Sequence, residues 1–230
     1  MYNIDGMFEV PLSESDIEEL RSVLKEIRNP VKIVTFIAEN CRYCNNTVDL
    51  IELIIKASPQ RNGKPLVTHE IIKYSEDKRK VFAEYGVDRV PTVLLLDGYI
   101  RYIGMPAGEE VRGFIETIIR IGTGDSGLSE RTKTVISNIS KRIIIDVVVT
   151  PTCPYCPYAS LLSNMFAYES YRSGKKSIVS KTIEAYENPD IADMYNVMTV
   201  PTVAINRSVE FVGPPTEDQL LDRVLKHAKY

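Results

Sequence analysis

The feature that most constrains this chain is an internal repeat. Tyr85–Val93 reads Y-G-V-D-R-V-P-T-V and Tyr195–Val203 reads Y-N-V-M-T-V-P-T-V, with six of nine positions identical at a constant offset of 110 residues. Upstream of each copy, an apolar β-branched run leads into a C-x-x-C pair, and the two pairs lie 112 residues apart. A repeat of this length indicates one structural unit that has been duplicated, and 230 residues suffice for two such cores.

A mismatch inside the repeat supports the same interpretation. Gly86 aligns with Asn196, and these two residue types most easily adopt the left-handed conformation that ends a helix. Both copies are therefore predicted to end a helix directly after Tyr85 and Tyr195.

The repeat also divides the chain. Ile121–Gly127 contains three glycines and interrupts the hydrophobic periodicity, so we predict an N-terminal domain over 1–121, a linker over 122–128 and a C-terminal domain over 129–230. Each domain is predicted to run helix, strand, helix, strand, helix, strand, strand, helix, with the first helix of the chain from Ser13 and the third from Asp77. This order predicts an α/β fold in which each domain has a central mixed β-sheet flanked by helices.

Composition argues against several functions. The chain has 28 Lys and Arg against 31 Asp and Glu, a net charge of −3, which gives no basic surface for nucleic acid or anionic membranes. No apolar run reaches the ~18–20 residues of a membrane span. Met1–Pro11 lacks the basic-then-apolar order of a secretion signal. We therefore expect a cytoplasmic protein that binds neither nucleic acid nor membrane.

The spacing of the cysteines indicates reactive thiols rather than disulfides that cross-link distant parts of the chain. They form two tight pairs, Cys41/Cys44 and Cys153/Cys156, which cannot clamp distant segments. Each pair is predicted where a strand hands over to a helix, and there unpaired N–H groups and the helix dipole stabilise a thiolate. We predict that Cys41 and Cys153 attack a substrate disulfide, and that Cys44 and Cys156 resolve the mixed disulfide.

The residues within and beside the motifs are expected to tune the two sites differently. Arg42 places a cation beside the first cysteine and favours its thiolate. Pro154 suits the first position of a helix. Pro157 would then occupy the fourth position, forfeit a backbone hydrogen bond and loosen the first turn. Tyr43 and Tyr155 are predicted to line the substrate-facing surface, with simple packing of the rings as the alternative.

A Val-Pro-Thr triplet follows each cysteine pair, with Pro91 50 residues after the first cysteine of its half and Pro201 48 residues after. A proline can simply mark a strand edge, but its recurrence favours a shared role. In these features each half resembles a thioredoxin-fold unit, in which this proline is cis and packs beside the dithiol. The resemblance implies that Val90 with Pro91, and Val200 with Pro201, form the binding sites for an extended substrate, to which Val90 and Val200 offer backbone hydrogen bonds.

The tandem arrangement over essentially the whole chain resembles the archaeal and thermophilic-bacterial protein disulfide oxidoreductases, which are glutaredoxin-like. The C-P-Y-C at 153–156 is of the glutaredoxin type, whereas the C-R-Y-C at 41–44 is less specific. The resemblance implies reduction, oxidation and isomerisation of protein disulfides in cell redox homeostasis, and a thermophilic source. It implies redox-active disulfides as the only cofactor, no metal, and a thioredoxin-reductase-like flavoprotein and a peroxiredoxin as partners.

The sequence departs from thioredoxins at one position. Thioredoxins carry a buried Asp six residues before the first cysteine, where this chain has Thr35 and Val147. Asp146 is one residue off, so strand alternation directs it to the opposite face. Proton removal from the resolving cysteines must then rely on water or on another acid. The only histidines, His69 and His227, are far from the cysteines in sequence and are assigned packing or surface roles.

Two other functions stay open. An electron carrier between a flavoprotein reductase and a peroxidase would use the same chemistry with a different client. A zinc- or iron–sulfur-binding structural module would use the four cysteines as two knuckles. Zinc ribbons usually separate their knuckles by ~15–20 residues, whereas a whole predicted domain lies between these pairs.

Overall fold

The computed structural model describes residues 5–8, 14–76 and 79–229. The first half contains helices α1 (Glu14–Leu24), α2 (Cys44–Ala57), α3 (Arg79–Tyr85) and α4 (Glu110–Thr123), and strands β1 (Val31–Ile37), β2 (Gln60–Arg61), β3 (Lys64–Pro65), β4 (Val67–Lys73), β5 (Thr92–Leu95) and β6 (Ile100–Ile103). Ser13 and Asp77, the predicted first residues of α1 and α3, lie outside the described residues.

The second half repeats the same order. It contains helices α5 (Glu130–Ile136), α6 (Cys156–Arg172), α7 (Pro189–Met194) and α8 (Glu217–Lys229), and strands β7 (Ile143–Val149), β8 (Ile178–Glu184), β9 (Thr202–Ile205) and β10 (Ser208–Val212). The predicted sequence of elements is confirmed in both halves, with the short β2–β3 hairpin added in the first. Gly86 directly follows α3 with a φ of +60°, and Asn196 follows Tyr195, the C-cap of α7, with a φ of +49°. The left-handed residues lie where the aligned mismatch predicted, although α7 ends one residue before Tyr195.

Eight strands form one continuous sheet in the order β10-β9-β7-β8-β6-β5-β1-β4. In the first half, β1 pairs parallel with β4 and antiparallel with β5, which continues into β6. In the second half, β7 pairs parallel with β8 and antiparallel with β9, which continues into β10. The halves join because β6 pairs in parallel with β8. Each half therefore has the predicted mixed sheet. The pairing of β6 with β8 means that neither of these two strands is an exposed edge strand.

The core follows from the composition of these strands. β7 reads I-I-I-D-V-V-V, and six of its seven residues are buried, as expected for a β-branched run between two helical layers. One face of the sheet carries a single hydrophobic cluster that includes residues of α1, α2, α4, α5, α6 and α8. The other face carries two separate clusters, one beneath α3 and one beneath α7. The two halves thus share one core on one face only.

The connection between the halves is short. Helix α4 ends at Thr123, and Gly124 closes it with a φ of +87° and an N–H bond to the carbonyl of Arg120. Ser129 caps α5 by accepting the N–H of Thr132. Helix α4 thus extends two residues into the predicted linker.

Candidate functional site

Both cysteine pairs lie at the same kind of junction. Strand β1 ends at Ile37 before α2, and β7 ends at Val149 before α6. Each leading cysteine lies in the turn before its helix, and each second cysteine is the first helical residue. Each pair is joined as a disulfide, with Cα atoms 5.4 Å apart in the first site and 5.5 Å apart in the second. Both separations are normal for a disulfide, so each pair can open and close without large backbone movement.

The start of α6 corrects the predictions for its two prolines. The helix begins at Cys156, so Pro154 lies in the preceding turn and Pro157 is the second helical residue. The N–H groups of the first helical turn have no acceptor within the helix. A proline at this position therefore forfeits no hydrogen bond. The predicted place of Pro154 at the first helical position and the predicted loosening at Pro157 are both wrong, because the helix starts later in the motif than expected.

The two cysteines of the second site differ in exposure. Cys153 retains 7% exposure, whereas Cys156 has none. The backbone N–H of Cys156 donates to the Sγ of Cys153 at 3.1 Å. A hydrogen bond of this kind favours the thiolate over the thiol, and the start of α6 adds its dipole. Cys153 is therefore the more exposed residue of the pair, and its sulfur is the one that accepts a hydrogen bond favouring an anion.

The proline segments have the geometry that the resemblance implied. The Val90–Pro91 and Val200–Pro201 peptide bonds are both cis. The Sγ of Cys153 lies 3.7 Å from the carbonyl oxygen of Val200, so this segment lies directly beside the second dithiol.

The two motif tyrosines differ. Tyr155 is 62% exposed at the second site, whereas Tyr43 is only 8% exposed. The Tyr43 ring stacks on Phe8 with centroids 4.0 Å apart and planes 14° apart, and the Arg42 guanidinium lies 5.3 Å from the ring centroid. The structure therefore corrects the interpretation of Tyr43, whose ring belongs to the core. No local pattern in the sequence signals that Phe8 covers it, because the contact joins segments 35 residues apart.

The first site is more open and more charged. Cys41 is half-buried and Arg42 is exposed, while Cys44 is 2% exposed. The order of exposure, leading cysteine outside and second cysteine inside, is the same as at the second site. The cation beside the leading cysteine has no counterpart at the second site, where Pro154 follows Cys153.

Behind the first site, Thr35 is buried and bonded to a histidine. The Nε2 of His69 lies 2.8 Å from the Thr35 hydroxyl, and its Nδ1 lies 3.3 Å from a carboxylate oxygen of Glu52. Burial lowers the pKa of His69, although the bond to Glu52 opposes the shift. The packing role predicted for His69 is confirmed, and its ring is bonded to Thr35, the residue that aligns with the thioredoxin Asp. His227 bonds Glu210 at the surface of α8.

At the second site, Asp146 points away from the dithiol as predicted. Its carboxylate accepts a hydrogen bond from the Tyr195 hydroxyl and lies 3.9 Å from the ammonium of Lys181. Tyr195 belongs to the cluster beneath α7, on the face opposite to Val147. Val147 itself is fully buried and apolar. Neither residue can take a proton from Cys156.

The four sulfurs do not converge. Each is bonded to its own partner within the motif, and the described ranges contain no group of three or more His, Cys, Asp or Glu side chains able to hold a metal ion. Within those same ranges, no helix is both long and apolar enough to cross a membrane.

Comparison with known proteins identifies the family. The thioredoxin domain model matches residues 31–116 and 143–225, one match in each half. A thioredoxin of Methanocaldococcus jannaschii is 34% identical over 85 residues, covering 37% of this chain and 95% of the thioredoxin.

Solved structures extend the likeness to the whole chain. The crystal structure of a protein disulfide oxidoreductase from Aeropyrum pernix K1 superposes with a TM-score of 0.93 at 44% identity over 97% of both chains. The alkylhydroperoxide reductase AhpF of Enterococcus faecalis shares the fold, with a TM-score of 0.79 at 18% identity over 92% of this chain and 98% of that one. The chain therefore belongs to the thioredoxin domain family and, as a thiol-disulfide oxidoreductase with two tandem thioredoxin-fold units, to its protein disulfide oxidoreductases.

Proposed function

We propose that this oxidoreductase reduces, oxidises and isomerises disulfides of protein substrates, with Cys41 and Cys153 as attacking nucleophiles and Cys44 and Cys156 as resolving thiols. The observation that carries the proposal is the environment of Cys153. Its sulfur accepts a backbone N–H at 3.1 Å, and the residue keeps 7% exposure whereas Cys156 has 0%. An anion-stabilised sulfur on the more exposed residue of the pair matches the division of labour that dithiol exchange needs.

The exchange proceeds in two displacements. The Cys153 thiolate attacks one sulfur of the substrate disulfide, forms a mixed disulfide and releases the other substrate sulfur as a thiolate. Cys156 then loses its proton and attacks the Sγ of Cys153, which forms the disulfide of the enzyme and releases the second substrate thiolate. The same steps in reverse oxidise a substrate dithiol. Cys41 and Cys44 act alike at the first site.

The substrate is proposed to lie along the cis-proline segments. An extended peptide can form backbone hydrogen bonds with Val90 beside Pro91 at the first site and with Val200 beside Pro201 at the second. The carbonyl of Val200 is within 3.7 Å of the attacking sulfur, so a peptide bonded there would bring its own disulfide to that sulfur. The exposed ring of Tyr155 is proposed to contact the same peptide.

The supply of electrons is proposed to come from another protein. A thioredoxin-reductase-like flavoprotein would reduce the two disulfides, which serve as the only redox group, and a peroxiredoxin would be a further client. We place this activity in the cytoplasm. The domains remain proposed as 1–121 and 129–230 with a linker over 122–128.

The two sites are distinguished by single substitutions. We expect Cys153→Ser to lose more insulin-reducing activity than Cys41→Ser, because the second site has the glutaredoxin-type motif. Equal losses would remove this asymmetry, and unchanged activity in the double variant would refute the proposed nucleophiles. Refolding of a protein with scrambled disulfides then separates an isomerase from a pure electron carrier, which reduces its client without reshuffling it.

A further inference from the structure

A buried carboxyl group of the first half lies against the dithiol helix of the second half. Glu110, the first residue of α4, is only 2% exposed. One of its oxygens, Oε2, accepts a hydrogen bond from the Ser160 hydroxyl at 2.9 Å. Within the part of the chain that the structure describes, the other oxygen, Oε1, is buried without a hydrogen-bond partner. A buried carboxyl group left half-satisfied is costly, and its unpartnered oxygen is available to accept a proton.

The position of Ser160 relates this carboxyl group to Cys156. The two residues are four apart on α6, and helical residues at this spacing lie on one face, about 5–6 Å apart at their Cβ atoms. The carboxyl group of Glu110 is therefore bonded to the residue that lies one helical turn after the resolving thiol on α6. Both Cys156 and Ser160 are fully buried.

Glycines allow α4 to approach this closely. A methyl group at Gly113 would lie 3.2 Å from the Ser160 hydroxyl oxygen and 3.3 Å from the Cα of Pro157, which is tighter than ordinary packing. At Gly108, where φ is +56°, a methyl group would lie 2.3 Å from the carbonyl oxygen of Pro151. The next residue donates its N–H to that same carbonyl at 2.8 Å. The start of α4 is thus held against the loop and the helix that flank the second dithiol.

The second half supplies no acid of its own at this point. Val147 occupies the relevant strand position, and Asp146 faces the other side of the sheet, bonded by Tyr195. The thiol of Cys156 is sealed, and burial makes an unassisted thiolate harder to form. A nearby base would remove this obstacle, and burial raises the pKa of Glu110 to about 7, although its bond to Ser160 opposes the shift. The group can therefore both accept and release a proton near neutral pH.

We propose that Glu110, contributed by the first unit, accepts the proton of Cys156 when the second dithiol resolves its mixed disulfide. The proposal rests on the function proposed above. As the proton moves from Cys156 to the free oxygen of Glu110, the new thiolate attacks the Sγ of Cys153. The S–S bond within the enzyme forms, the bond to the substrate breaks, and the departing substrate thiolate takes up a proton from solvent or from Glu110. In the oxidising direction, protonated Glu110 returns the proton to the Cys156 sulfur as it leaves.

Other titratable groups lie near Glu110, and their effects on a pH profile must be distinguished from its own. Tyr102 faces it from β6 and stays neutral, because burial raises its pKa far above the neutral range. The acidic residues nearby on α4 and α6 are paired with other groups, Glu109 with Arg112, Glu116 with Arg120 and Glu169 with Arg172. Glu184 at the end of β8 and Glu187 just after it also have pKa values raised to about 7 by burial. Only a comparison of variants that differ at residue 110 therefore isolates its contribution.

The test uses the full chain with Cys41→Ser and Cys44→Ser, so that only the second site reacts. Reduced protein is mixed with the chromogenic disulfide of thionitrobenzoate. The first thiolate released reports attack by Cys153, and the second reports resolution by Cys156. We expect Glu110→Gln, which can keep the bond to Ser160, to slow the second release at least about tenfold at pH 7 while the first is unchanged. The deficit should shrink above about pH 9, where a thiol with an ordinary pKa of ~8.5 ionises without help.

Two further variants complete the design. Glu109→Gln, an adjacent surface carboxylate paired with Arg112, is the matched control and should resolve at the parent rate. Ser160→Ala removes the bond that favours ionised Glu110 and should move the midpoint of the resolution profile to higher pH.

The possible failures are distinct. Parent-like resolution in Glu110→Gln at pH 7, or an equal slowing at every pH, would overturn the proposal. If Glu110→Gln does not fold, an unshifted profile in Ser160→Ala would overturn it. If the parent itself releases no thiolate through Cys153, the function proposed above fails instead.

Discussion

The burial of Glu110 has a consequence for stability that does not depend on its role in exchange. Its pKa is raised from an ordinary 4.5 to about 7. Each unit of difference between the pKa values of the folded and unfolded states corresponds to about 1.36 kcal/mol, so ionised Glu110 destabilises the folded chain by ~3 kcal/mol relative to the neutral form. Because the folded-state pKa is the higher one, this penalty is absent below about pH 4.5, grows as pH rises, and is complete above about pH 7.

Glu110→Gln removes the titration and can keep the bond to Ser160. We expect the free energy of unfolding of the variant to match that of the parent near pH 4 and to exceed it by ~3 kcal/mol at pH 8. Urea unfolding of the oxidised proteins across this range measures the difference. The other raised carboxyl groups, Glu184 and Glu187, titrate in both proteins and cancel. A difference that does not vary with pH, or that appears equally in Glu109→Gln, would refute the reasoning.

Two other substitutions test the packing of each site. Gly108→Ala places a methyl group 2.3 Å from the Pro151 carbonyl oxygen. Gly63→Ala is the control, because Gly63 has a φ of +74° and open space around it, so a side chain there should cost only the ~1–2 kcal/mol of a left-handed residue. We expect Gly108→Ala to lower the free energy of unfolding by more than Gly63→Ala does. Similar urea midpoints for the two variants would show that the loop yields. Phe8→Ala removes a fully buried ring stacked on Tyr43 and should lower the free energy of unfolding by ~3–5 kcal/mol. It should also speed amide hydrogen exchange at the start of α2, which follows Tyr43. Unchanged exchange there would contradict the contact.

The organisation of each half was predictable because the signals for it are local. Hydrophobic periodicity located the strands and helices, and the alignment of Gly86 with Asn196 located the same helix end twice. The C-x-x-C spacing placed each dithiol at a strand-to-helix junction. The one local error, at Pro154 and Pro157, arose because the motif does not state which of its residues begins the helix.

The sequence by itself thus determined the duplication, the mixed sheet of each half and the positions of the four cysteines, since periodicity and spacing are properties of neighbouring residues. Only the tertiary structure decided that β6 pairs with β8, that Phe8 covers Tyr43 and that Glu110 is buried against Ser160 of the helix that begins at Cys156. Strand edges offer the same backbone groups to any partner, and a glutamate in the first turn of a helix is ordinary at a surface. Which strand edges pair with each other, and which carboxyl group becomes buried, depends on contacts between segments far apart in the chain.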